Sequence, residues 1–397
     1  MPTVCLYLHL HQPFRLRRYS IFDVGNSDQY FTDTQDQNAQ IFNKVADKSY
    51  LPMLGLLKNL LNWHPDFHFA LSLTGVFLEQ AEEYRPEIIS LLQELVQTKR
   101  VELLAETYHH SLASLYDRKE FEEQVTLHRK KLWKLFKYKP KVFRNTELIY
   151  SDQIGQMVAE MGYKGLLTEA VDRYLEGPRT QLYSSYTKDR IPLLLKHAHL
   201  SDDIAFRFSA NHHAGNPLTS ETYVHWLNDY KEDEFVNLFM DFETFGEHQW
   251  EDTGIFQFFE HMVAQFLRFP WNKFQNPSQI FSKEDAKNLP FYKVPDPISW
   301  ADIDRDLTAW NGNDLQTDTL RIIYALKEKV LRTHDDELID QWRKLQASDH
   351  FYYMCVKWSA DGDVHAYFSP YDSPFDAYNR YTTVLADFRQ RVGQFIN

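Results

Sequence analysis

The sequence predicts an α/β fold in which strands and helices alternate through most of the chain, followed by a C-terminal α-helical region. Two observations carry this. Short apolar runs rich in β-branched or aromatic residues alternate with segments of helical period up to about Trp250, and beyond it spacings of three and four residues take over. Strand, crossover helix, next strand is the unit that builds a parallel sheet, and several in series can close into a barrel.

Seven strands are expected: Val4–His9, Phe67–Leu73, Val101–Ala105, Lys141–Asn145, Gly165–Thr168, Ile204–Ser209 and Val236–Asp241. Between the second and third, Ile88, Leu91, Leu92 and Leu95 repeat at helical spacing behind Pro86, whose missing N–H costs nothing in a first turn. After the fourth, Ser151 can cap a helix carrying Ile154, Val158 and Met161, and Gly162 can end it in a left-handed conformation. The stretch Asn288–Ile298, with Pro290, Pro295 and Pro297, reads as a loop. Leu320, Ile323, Leu326 and Val330, then Phe375, Tyr378, Tyr381, Leu385, Phe388 and Val392, mark helices. The expected division is a barrel-type catalytic unit over residues 1–260 and a helical unit over 261–397 that packs on it and roofs its cleft.

Composition narrows the partners. With 43 Lys plus Arg against 56 Asp plus Glu, the net charge of −13 repels a phosphate backbone or an anionic bilayer, so neither nucleic acid nor membrane is an expected partner. Aromatic residues make up 15% of the chain, which serves either a sugar-stacking cleft or a large core. Cys5 and Cys355 are too few for a disulfide framework, which points to a reducing, cytoplasmic setting. The opening residues read as a buried strand instead of a signal peptide, and no run approaches the ~18 apolar residues of a transmembrane helix. Nothing in the sequence fixes an oligomeric state.

Ligands of parallel α/β folds bind at the carboxyl ends of the strands, so polar residues there weigh most. The first strand runs out through His9 and His11, which share a face. Glu79 follows the second. The third exits into Glu106-Thr107-Tyr108-His109-His110, the fourth into Arg144-Asn145-Thr146-Glu147, and the last into Asp241 through Glu243, Glu247 and His248. Any one carboxylate could be a helix cap or an ion-pair member, and any one histidine a satisfied core residue. Their joint occurrence marks a site, since burying many such groups together is costly without a function. Two chemistries use this inventory: glycoside hydrolysis by paired carboxylates, and hydrolysis by metal-activated water, with His9, His11 and Asp241 holding the ion. Composition and spacing leave both open, and a barrel that keeps its cleft without turning over a ligand is a third possibility.

His9–Pro13, Glu79 after Gly75, Phe143–Leu148 and Met240–His248 resemble, in order, the signature regions of glycoside hydrolase family 57, most closely its short α-amylase-like branch. Ser369–Asp376 is similar to its last region. The resemblance implies an irregular parallel (β/α)7 barrel followed by a helical bundle, and a retaining enzyme acting on α-1,4-glucosidic bonds of starch, glycogen or maltooligosaccharides. A 4-α-glucanotransferase or branching enzyme of the same family is the alternative, and a metal-dependent polysaccharide deacetylase-like hydrolase or a non-catalytic glucan-binding protein is the alternative of another class. It further implies Glu147 as nucleophile, Asp241 as general acid/base, and no metal or other cofactor. His9, His11 and Glu79 match positions lining the scissile-bond subsite. Glu106, His109, Glu243 and His248 join them as expected substrate-binding residues, with Trp226 and Trp250, like Tyr108 and Phe14, as candidates to stack on glucose rings.

Overall fold

Among the described residues, ten strands organise the fold: β1 Thr3–Leu10, β2 Phe69–Leu73, β3 Val101–Leu103, β4 Val142–Arg144, β5 Gly165–Thr168, β6 Tyr183–Ser185, β7 Pro192–Leu195, β8 Val236–Asp241, β9 Lys273–Phe274 and β10 Phe291–Tyr292. The computed structural model describes residues 2–32, 37–210, 218–230, 235–357 and 369–396. β1 is buried at every position and pairs in parallel with β2 on one flank and β8 on the other, as expected of a central strand in an α/β fold. One sheet runs β3-β2-β1-β8, with β9 beside the start of β1. A second runs β10-β6-β7-β5-β4.

A few backbone hydrogen bonds join the two sheets. Ala105 N donates to Val142 O at 2.9 Å. Arg144 N donates to Ala105 O at 2.8 Å, linking β4 to the exit of β3, and His197 N donates to Asn237 O at 2.8 Å, linking the exit of β7 to β8. Strands β1, β2, β3, β4, β5, β7 and β8 thus form an irregular ring of seven. The antiparallel β6 occupies the flank of β7 short of that last junction.

Period two sorts the strand side chains. Leu6, Leu8 and Leu10 of β1 pack outward against helix residues such as Leu54, Leu57 and Phe77. Cys5 and Tyr7 alternate with them and pack inward with Ala70, Leu104, Val142, Leu167, Leu194 and Phe239. Two residues beyond that apolar layer, every strand of the ring turns polar: His9, Ser72, Glu106, Arg144, Glu169, Lys196 and Asp241. This layer floors the functional site.

The expected helices after Pro86 and Ser151 form at Pro86–Gln97 and Asp152–Glu160. Ser151 Oγ accepts from Ile154 N, and Gly162 takes φ +83°. One strand assignment fails. Ile204 lies in the helix Ala198–Ala205, and the sixth strand of the ring is the earlier run Pro192–Leu195. Leu200 and Ile204 are buried at helical spacing, and His197 Nδ1 caps the helix by accepting from Leu200 N. The proline-rich stretch carries a strand that the loop reading omitted, because Phe291–Tyr292 pairs with β6 between Pro290 and Pro295.

Helices Asp314–Ala325, Lys327–Arg332, Asp336–Lys344, Ser348–Tyr352 and Pro374–Ile396 fill the C-terminal region. Their Leu320, Ile323, Val330, Trp342 and Phe388 share a core with Phe143, Leu166 and Leu193, so this region packs on the outer face of the second sheet. Phe375 departs from the expected pattern, being 62% exposed in the first turn of the last helix. Among the described residues, no helix is long and apolar enough to cross a membrane.

Candidate active site

Glu147 reaches the site from a strained turn. It follows β4 with φ +55°, and Leu148 beside it has φ +51°, a left-handed pair of non-glycine residues that costs on the order of 1–2 kcal/mol each. Asn145 holds the turn by donating through Nδ2 to Ile149 O at 2.9 Å and Ser114 Oγ at 3.0 Å. The Glu147 carboxylate then meets three donors: Trp300 Nε1 at 2.8 Å, Ser348 Oγ at 2.9 Å and His110 Nε2 at 3.1 Å. Burial alone would raise its pKa, but hydrogen bonding and the charge of His110, with Trp300 and Arg144, outweigh it and bring the group to about 2.

His110 is the counterpart. Burial disfavours its charge, yet Glu106 and Glu147 lift it to about 9, so it is an imidazolium at neutral pH. Its Nδ1 stands 3.8 Å from Glu106 Oε2. Glu106 is fully buried, and against that burial His9, His110 and Arg144 hold its carboxyl well below the usual range. Ser72 Oγ also donates to it at 2.7 Å.

From Glu106 the chain of contacts continues to the second carboxylate. His9 Nε2 lies 3.3 Å from Glu106 Oε2, and His9 Nδ1 lies 3.5 Å from Asp241 Oδ1. Strand register dictates this pairing, because His9 and Asp241 are direct partners across β1 and β8. Glu147 and Asp241, 94 positions apart in sequence, are thereby joined through His110, Glu106 and His9. Asp241 keeps 30% of its side chain exposed to the cleft. Glu243, two residues on, accepts from Tyr50 OH, and burial with the nearby Asp241 charge pushes it up to about 8.

Just beyond β1, burial and the charge of His110 outweigh Asp349 and take His11 down to about 4. A neutral His11 satisfies both of its contacts: Nε2–H donates to Asp349 at 2.9 Å while Nδ1 accepts from Thr74 Oγ1 at 2.9 Å. On the far side, Lys196 pairs with Asp202 at 3.2 Å and Glu169 at 3.6 Å, and its Nζ lies 5.1 Å from the Trp300 ring centre.

His9, His11, His110, Glu147, Lys196 and Asp241 line a cavity of about 530 Å³, within the usual range for small-ligand sites. Its floor comes from the strand exits, and Trp300 to Ile303, Arg305, Trp310, Asp349, Tyr352 and Tyr353 wall it from the C-terminal side. Among the described residues, His9, Glu106 and His110 bring three ligand-type atoms within 4.8 Å of one another. A divalent cation does not fit there, because Arg144 Nη1 already stands 3.2 Å from His9 Nε2 and 3.6 Å from Glu106 Oε2.

A family model described as "Glycosyl hydrolase family 57" matches residues 5–295. The chain belongs to that family. A Methanocaldococcus jannaschii protein provisionally named alpha-amylase is 38% identical over 397 residues, covering 98% of this chain and 84% of its own. Among solved structures, a family 57 branching enzyme from Thermococcus kodakaraensis superposes with a TM-score of 0.71 at 13% identity, covering 100% of this chain and 91% of that one. A 4-alpha-glucanotransferase from Thermococcus litoralis gives a TM-score of 0.63 at 16% identity over 88% of this chain, which spans 56% of that longer protein. At these identities the two structures speak for the family 57 fold alone. The protein is a glycoside hydrolase or transglycosylase.

Of the expected site residues, Glu147, Asp241, His9, His11, Glu243 and His248 line the cavity. The others stand outside its lining. Glu106 lies beneath the floor. Glu79 accepts from Tyr108 OH at 2.6 Å, an arrangement that Gly75 permits, since a Cβ there would run into the Tyr108 ring. His109 is buried 3.8 Å from Asp340. Trp226 packs beside Tyr223 on the helix Ser220–Asp229, and Trp250 is 56% exposed with Lys48 Nζ at 5.3 Å. Phe14 sits under Lys344 Nζ at 4.3 Å.

Sequence reasoning left Arg144, Lys196, Trp300, Ser348 and Asp349 without roles. Arg144 and Lys196 had a legible signal, each following a core apolar residue by two at a strand exit. Ser348 and Asp349 interrupt an otherwise apolar-periodic region, and Trp300 closes the proline-rich stretch.

Proposed function

We propose that this family 57 protein is a retaining α-glucan hydrolase that cleaves α-1,4-glucosidic bonds of starch, glycogen or maltooligosaccharides, with Glu147 as nucleophile and Asp241 as general acid/base. The observation that carries the reading is Glu147 itself, held ionised by three donors in the cavity that Asp241 also lines.

In the first step a Glu147 oxygen attacks the anomeric carbon while Asp241 gives its proton to the departing glycosidic oxygen. This leaves a glycosyl ester on Glu147. In the second step the Asp241 carboxylate takes a proton from water, and the water oxygen displaces Glu147 with net retention. The donors on Glu147 suit both halves: they keep it anionic for attack and stabilise it as the leaving group. Glu243, protonated near neutral pH, adds no second negative charge beside Asp241.

Transfer to a sugar acceptor, as in a 4-α-glucanotransferase or branching enzyme, is the second reading. It is favoured by the aromatic wall of Trp300, Trp310, Tyr352 and Tyr353, which suits a sugar ring better than free water in the second step. We further propose a cytoplasmic setting, which the free thiols of Cys5 and Cys355 suit. The proposed division at residue 260 has the helical unit roofing the cavity, although β9 and β10, beyond that point, complete the two sheets.

The test is to incubate the protein with maltooligosaccharides and with glycogen and resolve the products by size. Shorter chains indicate hydrolysis, longer chains transfer, and new α-1,6 links branching. Saturable binding without product contradicts the enzymatic reading.

A further inference from the structure

Beyond the charge it lends to keeping Glu147 and Glu106 ionised, Arg144 has no task in the reaction above, and its burial is hard to justify on stability. It is fully buried at the end of β4, and a buried guanidinium is costly unless its donors are paired. Its Nε and Nη2 find no hydrogen-bond partner among the described residues. The Glu106 carboxylate lies 3.6 Å from Nη1, and the Phe239 ring centre lies 5.4 Å from the guanidinium carbon. The closest polar contact of Nη1 is His9 Nε2 at 3.2 Å.

A guanidinium has donors and no acceptor. His9 Nε2 can therefore meet Nη1 favourably only through its lone pair, which puts the imidazole proton on Nδ1, the nitrogen facing Asp241 Oδ1. The charged and titratable neighbours of His9 come from four places: Arg144 on β4, Glu106 after β3, Asp241 on β8, and the His110 and His11 rings with centroids 5.0 and 5.9 Å away. Glu106 is the competitor, since its Oε2 stands 3.3 Å from Nε2 and would favour a proton there. Ser72 Oγ donates to the other oxygen, Oε1. Besides His9, Oε2 has only the charges of His110 Nδ1 at 3.8 Å and Arg144 Nη1 at 3.6 Å beside it and finds no hydrogen bond among the described residues. The tautomer of His9 is therefore decided between Glu106 and Arg144.

We propose that Arg144 is a positioning residue that fixes the His9 proton on Nδ1, so that His9 donates to one oxygen of Asp241 and leaves the other to deliver the proton to the glycosidic oxygen. This rests on the reading of Asp241 as general acid/base. The 3.5 Å separation is long for a hydrogen bond, and contacts of this kind tighten as substrate binds. Arg144 then acts on Asp241 through His9 and never touches sugar.

The test is a long-range ¹H–¹⁵N correlation spectrum of protein labelled with ¹⁵N-histidine, recorded at pH 8 without sugar, with the His9 signals assigned by their loss in His9→Gln. The expected pattern has the proton on Nδ1 and a lone pair on Nε2. In Arg144→Met the Nε2–H form should grow, kcat should fall about tenfold or more with KM within about twofold, and the basic limb of the kcat–pH profile should move. Arg144→Lys, which keeps the charge and alters the geometry, gives the same readouts if the Met variant does not fold. A wild-type proton on Nε2, in a neutral ring or an imidazolium, overturns the proposal, as does a tautomer unchanged in both variants. Because no sugar is present, an Nδ1–H signal in a protein inert toward glucans would contradict the proposed reaction and leave the Arg144–His9 arrangement standing.

Discussion

His110 Nε2 lies 3.1 Å from Glu147 Oε1 while its Nδ1 lies 3.8 Å from Glu106 Oε2, so one imidazolium serves two carboxylates, Glu106 buried and Glu147 facing the cavity. Replacing it with Asn removes the charge and keeps a donor. The Glu147 carboxyl, about 2 in the native site, should rise by about 1–3 units, the usual effect of one adjacent opposite charge. The acid limb of kcat/KM against pH should move up by that amount. A limb that stays in place means His110 does not set the charge of Glu147.

Stability should follow the same pair, with opposite signs. His110 is raised in the fold, so its contribution is complete below about 6.5, its unfolded value, and is lost as pH climbs through about 9. Glu147 is depressed, so its contribution is present above about 4.5 and is lost as pH falls through about 2. Urea midpoints across pH 6–10 should decline for the native protein and flatten for His110→Asn. Parallel declines would contradict the assignment.

Trp300→Phe keeps a ring in the wall and deletes the Nε1–H that reaches Glu147 Oε2 at 2.8 Å. Loss of a hydrogen bond to a charged group costs about 1.5–3 kcal/mol, which corresponds to a fall of roughly 10- to 100-fold if the contact acts in the transition state. That fall should appear in kcat. A change confined to KM would make Trp300 a substrate-stacking surface only.

Gly246→Ala should lower stability by about 1 kcal/mol or more. Gly246 sits at φ +103°, and an added Cβ would strike the Lys48 carbonyl oxygen. The strain falls on the loop carrying Glu243 and His248, so activity should drop together with the melting temperature. An unchanged melting temperature would show that the loop can move aside.

Much of this architecture is visible in the chain itself. Long apolar strands such as Thr3–Leu10 and Val236–Asp241 are hard to mistake, and their polar exits point to the cavity mouth. The short strands Tyr183–Ser185, Lys273–Phe274 and Phe291–Tyr292 escape because two or three residues carry no measurable period; their pairing is decided by neighbours far away in sequence. Ile204 misleads for a related reason, since an apolar run of that length fits a buried helix turn equally well. In the site, Glu147 and Asp241 stand at strand exits, where carboxylates attract notice. Trp300 and Ser348, which hold Glu147, come from 153 and 201 positions further along. No local pattern announces a contact that only tertiary packing creates.

Action of Glu147 and Asp241 on one glycosidic bond is tested most directly by trapping the intermediate. The protein is incubated with 5-fluoro-α-glucosyl fluoride, digested, and the labelled peptide sequenced by mass spectrometry. A fluoroglucosyl ester on Glu147, slow to turn over and absent from Glu147→Gln, is the predicted result. A label on another residue, or turnover that releases β-configured sugar with no ester formed, would contradict it.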